Sequence, residues 1–377
     1  MSDFRATSSA RLATRLAFFA AGFAMACCAP LFPFMKAAVG ANEGLFGVLL
    51  LCLGIGAVSS MPATGIVAAR YGARGIMAVT GVGLAVMLPL LAFSTTPWML
   101  GASLFVFGAS LGSLDVAMNI HGTDIEEREA RSLMSNFHAH FSIGGGFGAG
   151  LITLQLWAGM PYQSAALVGA AVTLVTVVLY SPRLLRAKLG EPAPLVWPKG
   201  IVLLLAAIAA ITFLVEGAVL DWGALLLIQR ELAEAQTAGV GYIVFSITMV
   251  FARLTGDQTI ERFGALQVFI TGGFAAMAGI IVILIAPSGM VALVGFGLIG
   301  LGAANLVPIV FSAAGRQRVM PPSLAVAAVT TVGYAGILLG PALIGGVAAL
   351  SSLAGAFWLL AALMICVPLA AKRVTQI

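Results

Sequence analysis

The chain has 377 residues, 61% of them hydrophobic and 9% charged, with a formal net charge of +5. Soluble domains average roughly 45–50% apolar and about 25% charged, so these charges are too few to cover a water-facing surface and lipid must solvate most of it. The excess of positive charge does not mark a nucleic-acid binder, because the basic residues stand singly or in pairs at the ends of apolar runs rather than on one patch.

A helical span needs ~20 mainly apolar residues. In chain order, twelve runs qualify: 15–35, 45–69, 76–93, 98–120, 133–157, 164–180, 201–228, 239–254, 266–286, 290–313, 324–348 and 353–371. Arg5, Arg11 and Arg15 before the first run resemble a signal peptide, but no soluble domain follows for export to deliver, so the run is read as a span. Cys27, Cys28, Cys52 and Cys366 lie inside the runs. They suggest neither a disulfide framework nor a zinc site, and no metal or other cofactor is expected. The longest polar stretch, 183–199, contains Pro192, Pro194 and Pro198 and cannot be one regular helix. It divides the chain into an N-terminal six-helix bundle (1–182), a cytoplasmic linker (183–199) and a C-terminal six-helix bundle (200–377). Seventeen of the nineteen lysines and arginines fall on one side of the alternating spans, leaving Lys36 and Arg230 on the other. The positive-inside rule then puts both termini in the cytoplasm.

An internal repeat joins the two halves. Arg70-Tyr71-Gly72 follows the second run, and Arg262-Phe263-Gly264 follows the eighth, 192 residues later. Gly144 and Gly148 recur as Gly336 and Gly340 at the same offset. Repeats of this kind belong to transporter folds, with the solute site near the bilayer midplane. The run from Gly144 to Gly150 is not a phosphate loop, since it follows no strand and carries no Lys-Ser/Thr; it reads as a close helix-packing surface.

The loop after the second run, Gly65-Ile-Val-Ala-Ala69-Arg70-Tyr71-Gly72-Ala-Arg74, is similar to the signature of the major facilitator superfamily, with Ala69 at the usual aspartate. The second copy keeps an acid, in Glu261-Arg262-Phe263-Gly264. The resemblance implies a charge-paired latch on the cytoplasmic side, using Arg70, Gly72, Glu261, Arg262 and Gly264. Within the superfamily the chain looks most like the fucose-permease-like branch of sugar–proton symporters. Leu114-Asp115-Val-Ala-Met-Asn119 is similar to that branch's acid, three residues, asparagine, and Pro308-Ile-Val-Phe311-Ser312 to its Pro-x-x-Phe-Ser. The branch also carries an acid in its first span, which is absent between Gly22 and Pro30. The resemblance implies an all-α membrane protein of the major facilitator fold, in a bacterial inner membrane.

Ionisable groups inside the spans are the candidates for chemistry, because a charge at mid-helix costs about 2.5–3.5 kcal/mol on the insertion scale and tends to be kept for function. Asp115 is read as proton carrier or solute anchor, with Asn119 one turn further on the same face. A carboxyl group in a low-dielectric medium holds its proton more readily. The bland alternative is a structural link to the fifth span. His138 lies near the start of that span and could relay a proton, since imidazole titrates near neutral pH. His140 and His121 fit headgroup or backbone contacts better. Glu216 and Asp221 lie in the seventh span beside Trp222, an arrangement suited to a polyol, and Gly217 and Gly223 would let that helix bend. Asp221 could instead pair with Arg230. Asn305 and Tyr334 complete the solute-site candidates, and helix packing is the alternative for Asn305. Tryptophans near span ends read as interface anchors. Arg253 and Asp257, four residues apart, read as a structural pair or inner gate.

These residues lead to one expectation: a monomeric, proton-coupled symporter of a small polar solute such as a sugar, with the bilayer and the solute as its partners. The alternative is proton-coupled efflux of amphipathic compounds. Drug exporters of the superfamily usually have Gly-Pro in the fifth span; here it is Gly340-Pro341 in the eleventh, which weighs against export. An enzyme is not expected, because no nucleophile–base pair or metal-ligand cluster is present.

Overall fold

A computed structural model describes residues 2–185, 197–233 and 239–377. Arg186, Lys188, Pro192 and Pro194 of the linker lie outside the described residues, and the side chains of Arg5 and Pro341 are likewise outside the description. The described residues are helical, with no strand among them. Among the described residues, nine helices are long and apolar enough to cross a membrane, and counting each of two bent helix pairs as one span gives eleven.

The chain divides into two compact units. Unit 1 comprises Met1–Ala130, Phe137–Trp197 and Met320–Ala328. Its helices are α1 (Ser2–Ala38), α2 (Glu43–Tyr71), α3 (Ala73–Ala92), α4 (Pro97–Glu129), most of α5 (Met134–Trp157) and α6 (Tyr162–Tyr180). A 3₁₀ turn, Ser181–Arg183, follows. Local chemistry sets the helix starts. The Asn42 side chain accepts the Leu45 N–H at 2.8 Å ahead of α2. Thr96 accepts the Met99 N–H ahead of α4, where Pro97 occupies the first turn and loses no helical hydrogen bond. The α4 helix stops at Ala130, which adopts a left-handed conformation. Helix α5 is 24 residues long, yet its many glycines and two histidines leave it outside the count of apolar spans.

Unit 2 comprises Arg131–Asn136, Pro198–Val319 and Val329–Ile377. Its helices are α7 (Ile201–Gln229), α8 (Val240–Leu254), α9 (Gly256–Phe263), α10 (Ala265–Ile285), α11 (Gly289–Ala303), α12 (Leu306–Arg316), most of α13 (Pro322–Leu350), α14 (Leu353–Met364) and α15 (Cys366–Thr375). The helix is interrupted just beyond the eighth run and within the tenth and twelfth, which still each count as one span. The eighth continues beyond Leu254 as α9 after a 56° bend at Thr255. The tenth breaks at Ala304-Asn305, and the twelfth at Ile365. Helix α7, expected to bend at its glycines, runs unbroken; Gly223 instead leaves room for the Phe296 ring.

The 192-residue repeat is physical. In unit 1, Gly108 of α4 lies against the backbone of Leu53 in α2; in unit 2, Gly300 of α11 lies against the backbone of Phe245 in α8. Both members of each contact are related by the offset. Gly144 of α5 also meets the backbone of Phe19, and its counterpart Gly336 of α13 meets that of Ala210, one residue off the offset. A Cβ at these positions would overlap main-chain atoms, which is how small residues bring membrane helices together where lipid removes the hydrophobic drive.

Candidate functional site

Unit 1 gathers its polar groups at the junction of α4 and α5. Asp115 is buried, with 6% of its surface exposed. Its carboxyl group makes no hydrogen bond or ion pair with another described residue. Asn119, one turn on, donates from Nδ2 to the Asp115 main-chain carbonyl at 2.9 Å. Its Oδ1 lies 3.2 Å from His138 Nε2, so that nitrogen carries the proton if the pair is hydrogen-bonded. The His138 ring packs on Phe18 of α1, 5.1 Å between centroids. Asn119 and His138 therefore form a polar pair inside an apolar bundle, one helical turn along α4 from Asp115.

His121, expected at the membrane surface, is instead buried and 2% exposed. Its Nε2 accepts the Leu185 N–H at 3.0 Å. The acceptor role of Nε2 makes Nδ1 the protonated nitrogen of a neutral ring, and Nδ1 lies 2.9 Å from Thr14 Oγ1. Thr14 passes its own hydrogen to the Ala10 carbonyl. His121 is thus a structural tie between α1, α4 and the start of the linker. An Arg11–Glu129 pair at 2.8 Å joins the same two helices nearby.

Unit 2 places its charged groups where helices break. Arg253 ends α8, buried, with its Nη2 3.6 Å from Glu216 Oε1 on α7. That distance exceeds the ~2.7–2.9 Å of a charge-assisted hydrogen bond, and Glu216 Oε1 has no hydrogen-bond donor among the described residues. Arg253 Nε donates to the Ala304 carbonyl at the α11–α12 break. Asn305, the next residue, donates from Nδ2 to the Ala252 carbonyl at the end of α8. Its Oδ1 is buried over Gly256 without a donor among the described residues. Tyr334 of α13 packs edge-on against Phe213 of α7. Asp221 is exposed, while Arg230 donates to the carbonyls of Ile283 and Ala286 at the end of α10. Trp222, expected as an interface anchor, has its Nε1 buried without an acceptor among the described residues. Glu216, Arg253 and Asn305 come together, whereas Asp221 lies exposed at some remove along α7.

The two signature turns are alike in both units. Arg70 lies over the Tyr71 ring and Arg262 over the Phe263 ring, each 5.2 Å from the centroid. Gly72 and Gly264 both take positive φ, 76° and 81°, where a side chain would be strained. Beside the turns the units differ. Asp257 of unit 2 accepts the N–H groups of Ser135 and Asn136 in the first turn of α5, at 3.1 and 3.2 Å. It holds that helix start as a charged cap. Glu261 pairs with Arg131 at 3.3 Å on the surface. In unit 1 the equivalents of these two acids are Gly65 and Ala69. Gly65 lies directly against Ala327 and the Ser323 carbonyl at the start of α13. The roles of the Ser135 and Asn136 amides and the buried pairing of Arg253 with Glu216 were not legible from spacing, since each partner is more than thirty residues away.

Residues 15–318 match the family model described as Major Facilitator Superfamily. An uncharacterized MFS-type transporter of Yersinia pestis is 44% identical over 98% of this chain and 96% of its own. Among solved structures, the human organic anion transporter MFSD10 aligns with a TM-score of 0.81 at 18% identity, over 97% of this chain and 99% of that one. The Escherichia coli fucose:proton symporter aligns with a TM-score of 0.78 at 15% identity, over 97% and 98%. At those identities the structural likeness speaks for the fold, while the family match and the Yersinia relative place the sequence itself: the chain belongs to the Major Facilitator Superfamily, whose members are membrane transporters.

Proposed function

We propose that this protein is a twelve-span secondary transporter, with both termini in the cytoplasm of a bacterial inner membrane, that moves a small polar solute together with a proton by alternating access. The observation that carries this reading is Asp115: a carboxyl group 6% exposed, in the middle of an apolar bundle, with no partner among the described residues. A charge kept there without a counter-charge is costly, and binding a proton removes the cost. Asn119, one turn on, and His138 against it supply hydrogen-bonding groups that hydroxyls of a polyol would meet. Loading solute and proton together then lowers the cost of the occluded state, and the membrane potential contributes ~2.3 kcal/mol per charge per 100 mV. The name of the fucose:proton symporter, a neighbour in fold, agrees with this solute class. Arg253, a permanent cation inside unit 2, favours as a second reading a solute that also carries an anionic group.

The test is purified protein in proteoliposomes with a pH-sensitive dye in the lumen, challenged with neutral sugars, sugar acids and amphipathic drugs. A symporter acidifies the lumen when its solute is added outside. Alkalinisation instead would identify proton-linked export, and acidification by sugar acids alone would select the second reading.

A further inference from the structure

The two helix breaks of unit 2 hold each other. Arg253 sends its Nε to the carbonyl of Ala304, and Asn305 sends its Nδ2 to the carbonyl of Ala252. The donors are neighbours in sequence of the acceptors, 253 beside 252 and 305 beside 304, so the two bonds form a reciprocal clasp. It sits where α8 gives way to α9 and where α11 gives way to α12, with the only covalent link between the pairs running through α10. The Asn305 side chain fills the bend of the eighth span: its Oδ1 occupies the place a Cβ on Gly256 would take, so no larger residue fits there. Carbonyls at a helix break lack their usual intrahelical partner, and a side chain from the neighbouring break provides one. Moving the two interruptions apart would release both of these bonds.

One arm of the clasp is also the cation that faces Glu216. We propose that Arg253 and Asn305 are positioning residues that couple the bend beyond the eighth span to the interruption of the tenth as a single joint, and that the carboxylate of Glu216 sets this joint by holding Arg253 in place. This deepens the transport reading and rests on it for its purpose: a proton or a solute hydroxyl arriving at Glu216 weakens its pull on Arg253, and both interruptions loosen together. The loose 3.6 Å pair with an Oε1 that receives no hydrogen bond suits such a role, because a bidentate bridge would not yield to a neutral visitor.

The test is hydrogen–deuterium exchange on the full-length protein in lipid nanodiscs, with no solute present. Asn305→Ala is expected to speed exchange about tenfold in two windows at once, 252–257 and 304–309, as loss of one buried hydrogen bond allows. The window around Asp115 in unit 1 should stay unchanged. Glu216→Gln, which keeps shape and removes charge, should loosen the same two windows. If Asn305→Ala fails to fold, Asn305→Ser serves with the same expectation. Loosening confined to one window would overturn the coupling, and two unmoved windows in Glu216→Gln would overturn the role of Glu216. Because no solute enters these measurements, they stand or fall apart from the transport assay. In proteoliposomes that do transport, Asn305→Ala should lower the turnover rate severalfold with little change in half-saturation.

Discussion

The two units are copies of one repeat, yet at position 65 and its counterpart 257 they hold a helix start in opposite ways. Unit 1 uses Gly65, whose missing side chain lets α13 begin in direct contact with α2 at Ala327 and Ser323. Unit 2 uses Asp257, whose carboxylate caps two amides of α5. One contact depends on shape and the other on charge, although the signature turns next to them, with Gly72 and Gly264 at positive φ, are alike. The polar cores differ in the same manner. The acid of unit 1, Asp115, has no counter-charge among the described residues, whereas Glu216 of unit 2 faces Arg253. A duplicated scaffold has thus kept its packing glycines and diverged in its charges, with one half suited to exchanging a proton and the other to linking charge to helix bending.

This comparison can be broken at several points. The largest effect is expected from Arg253→Ala, which leaves the buried Oε1 of Glu216 without its cation and removes a donor from Ala304; such losses run up to about 3–5 kcal/mol. Thermal unfolding in detergent should show it, and adding Glu216→Gln should recover part of the loss. Full additivity of the two changes would mean the pair is not energetically linked. Next comes Gly65→Ala, where a methyl group meets Ala327 and should cost about 1–3 kcal/mol by overpacking. A smaller loss, about 0.5–2 kcal/mol, is expected from Asp257→Ala, by analogy with the loss of a helix cap. High salt should weaken the Asp257 contact and leave the Gly65 contact unaffected, and equal salt sensitivity would contradict the distinction between charge and shape. The smallest effect belongs to Glu261→Gln. Its partner Arg131 is about half exposed, and surface pairs contribute under about 1 kcal/mol.

Much of this design was legible in the sequence because it is written in local or periodic signals. The apolar runs gave the helices, and the glycines at a fixed offset gave the repeat, which the Gly108–Leu53 and Gly300–Phe245 contacts then realise. Asp115 with Asn119 could be placed on one face by helix geometry alone. The break at Ala304-Asn305 was not anticipated, although Pro308, four residues on, has no N–H to offer the Ala304 carbonyl. The bend at Thr255 falls where the apolar run ends at Leu254 and a polar stretch begins, so the sequence marked the end of the run but not that a helix continues past it. Spacing pointed Arg253 toward Asp257 and gave no sign of Glu216, thirty-seven residues earlier on another helix. His121 was misplaced for a related reason: its partners, Thr14 and the Leu185 amide, come from the first helix and the linker, and only the folded bundle brings them together.

Of all these features, Asp115 carries the functional account. The direct measurement is Asp115→Asn in proteoliposomes, reading solute exchange at equilibrium and solute-driven proton movement in the same preparation. The account predicts that exchange persists while proton movement disappears, because the amide still accepts and donates hydrogen bonds but cannot take up and release a proton. Proton movement at the wild-type ratio to solute in that variant would contradict it.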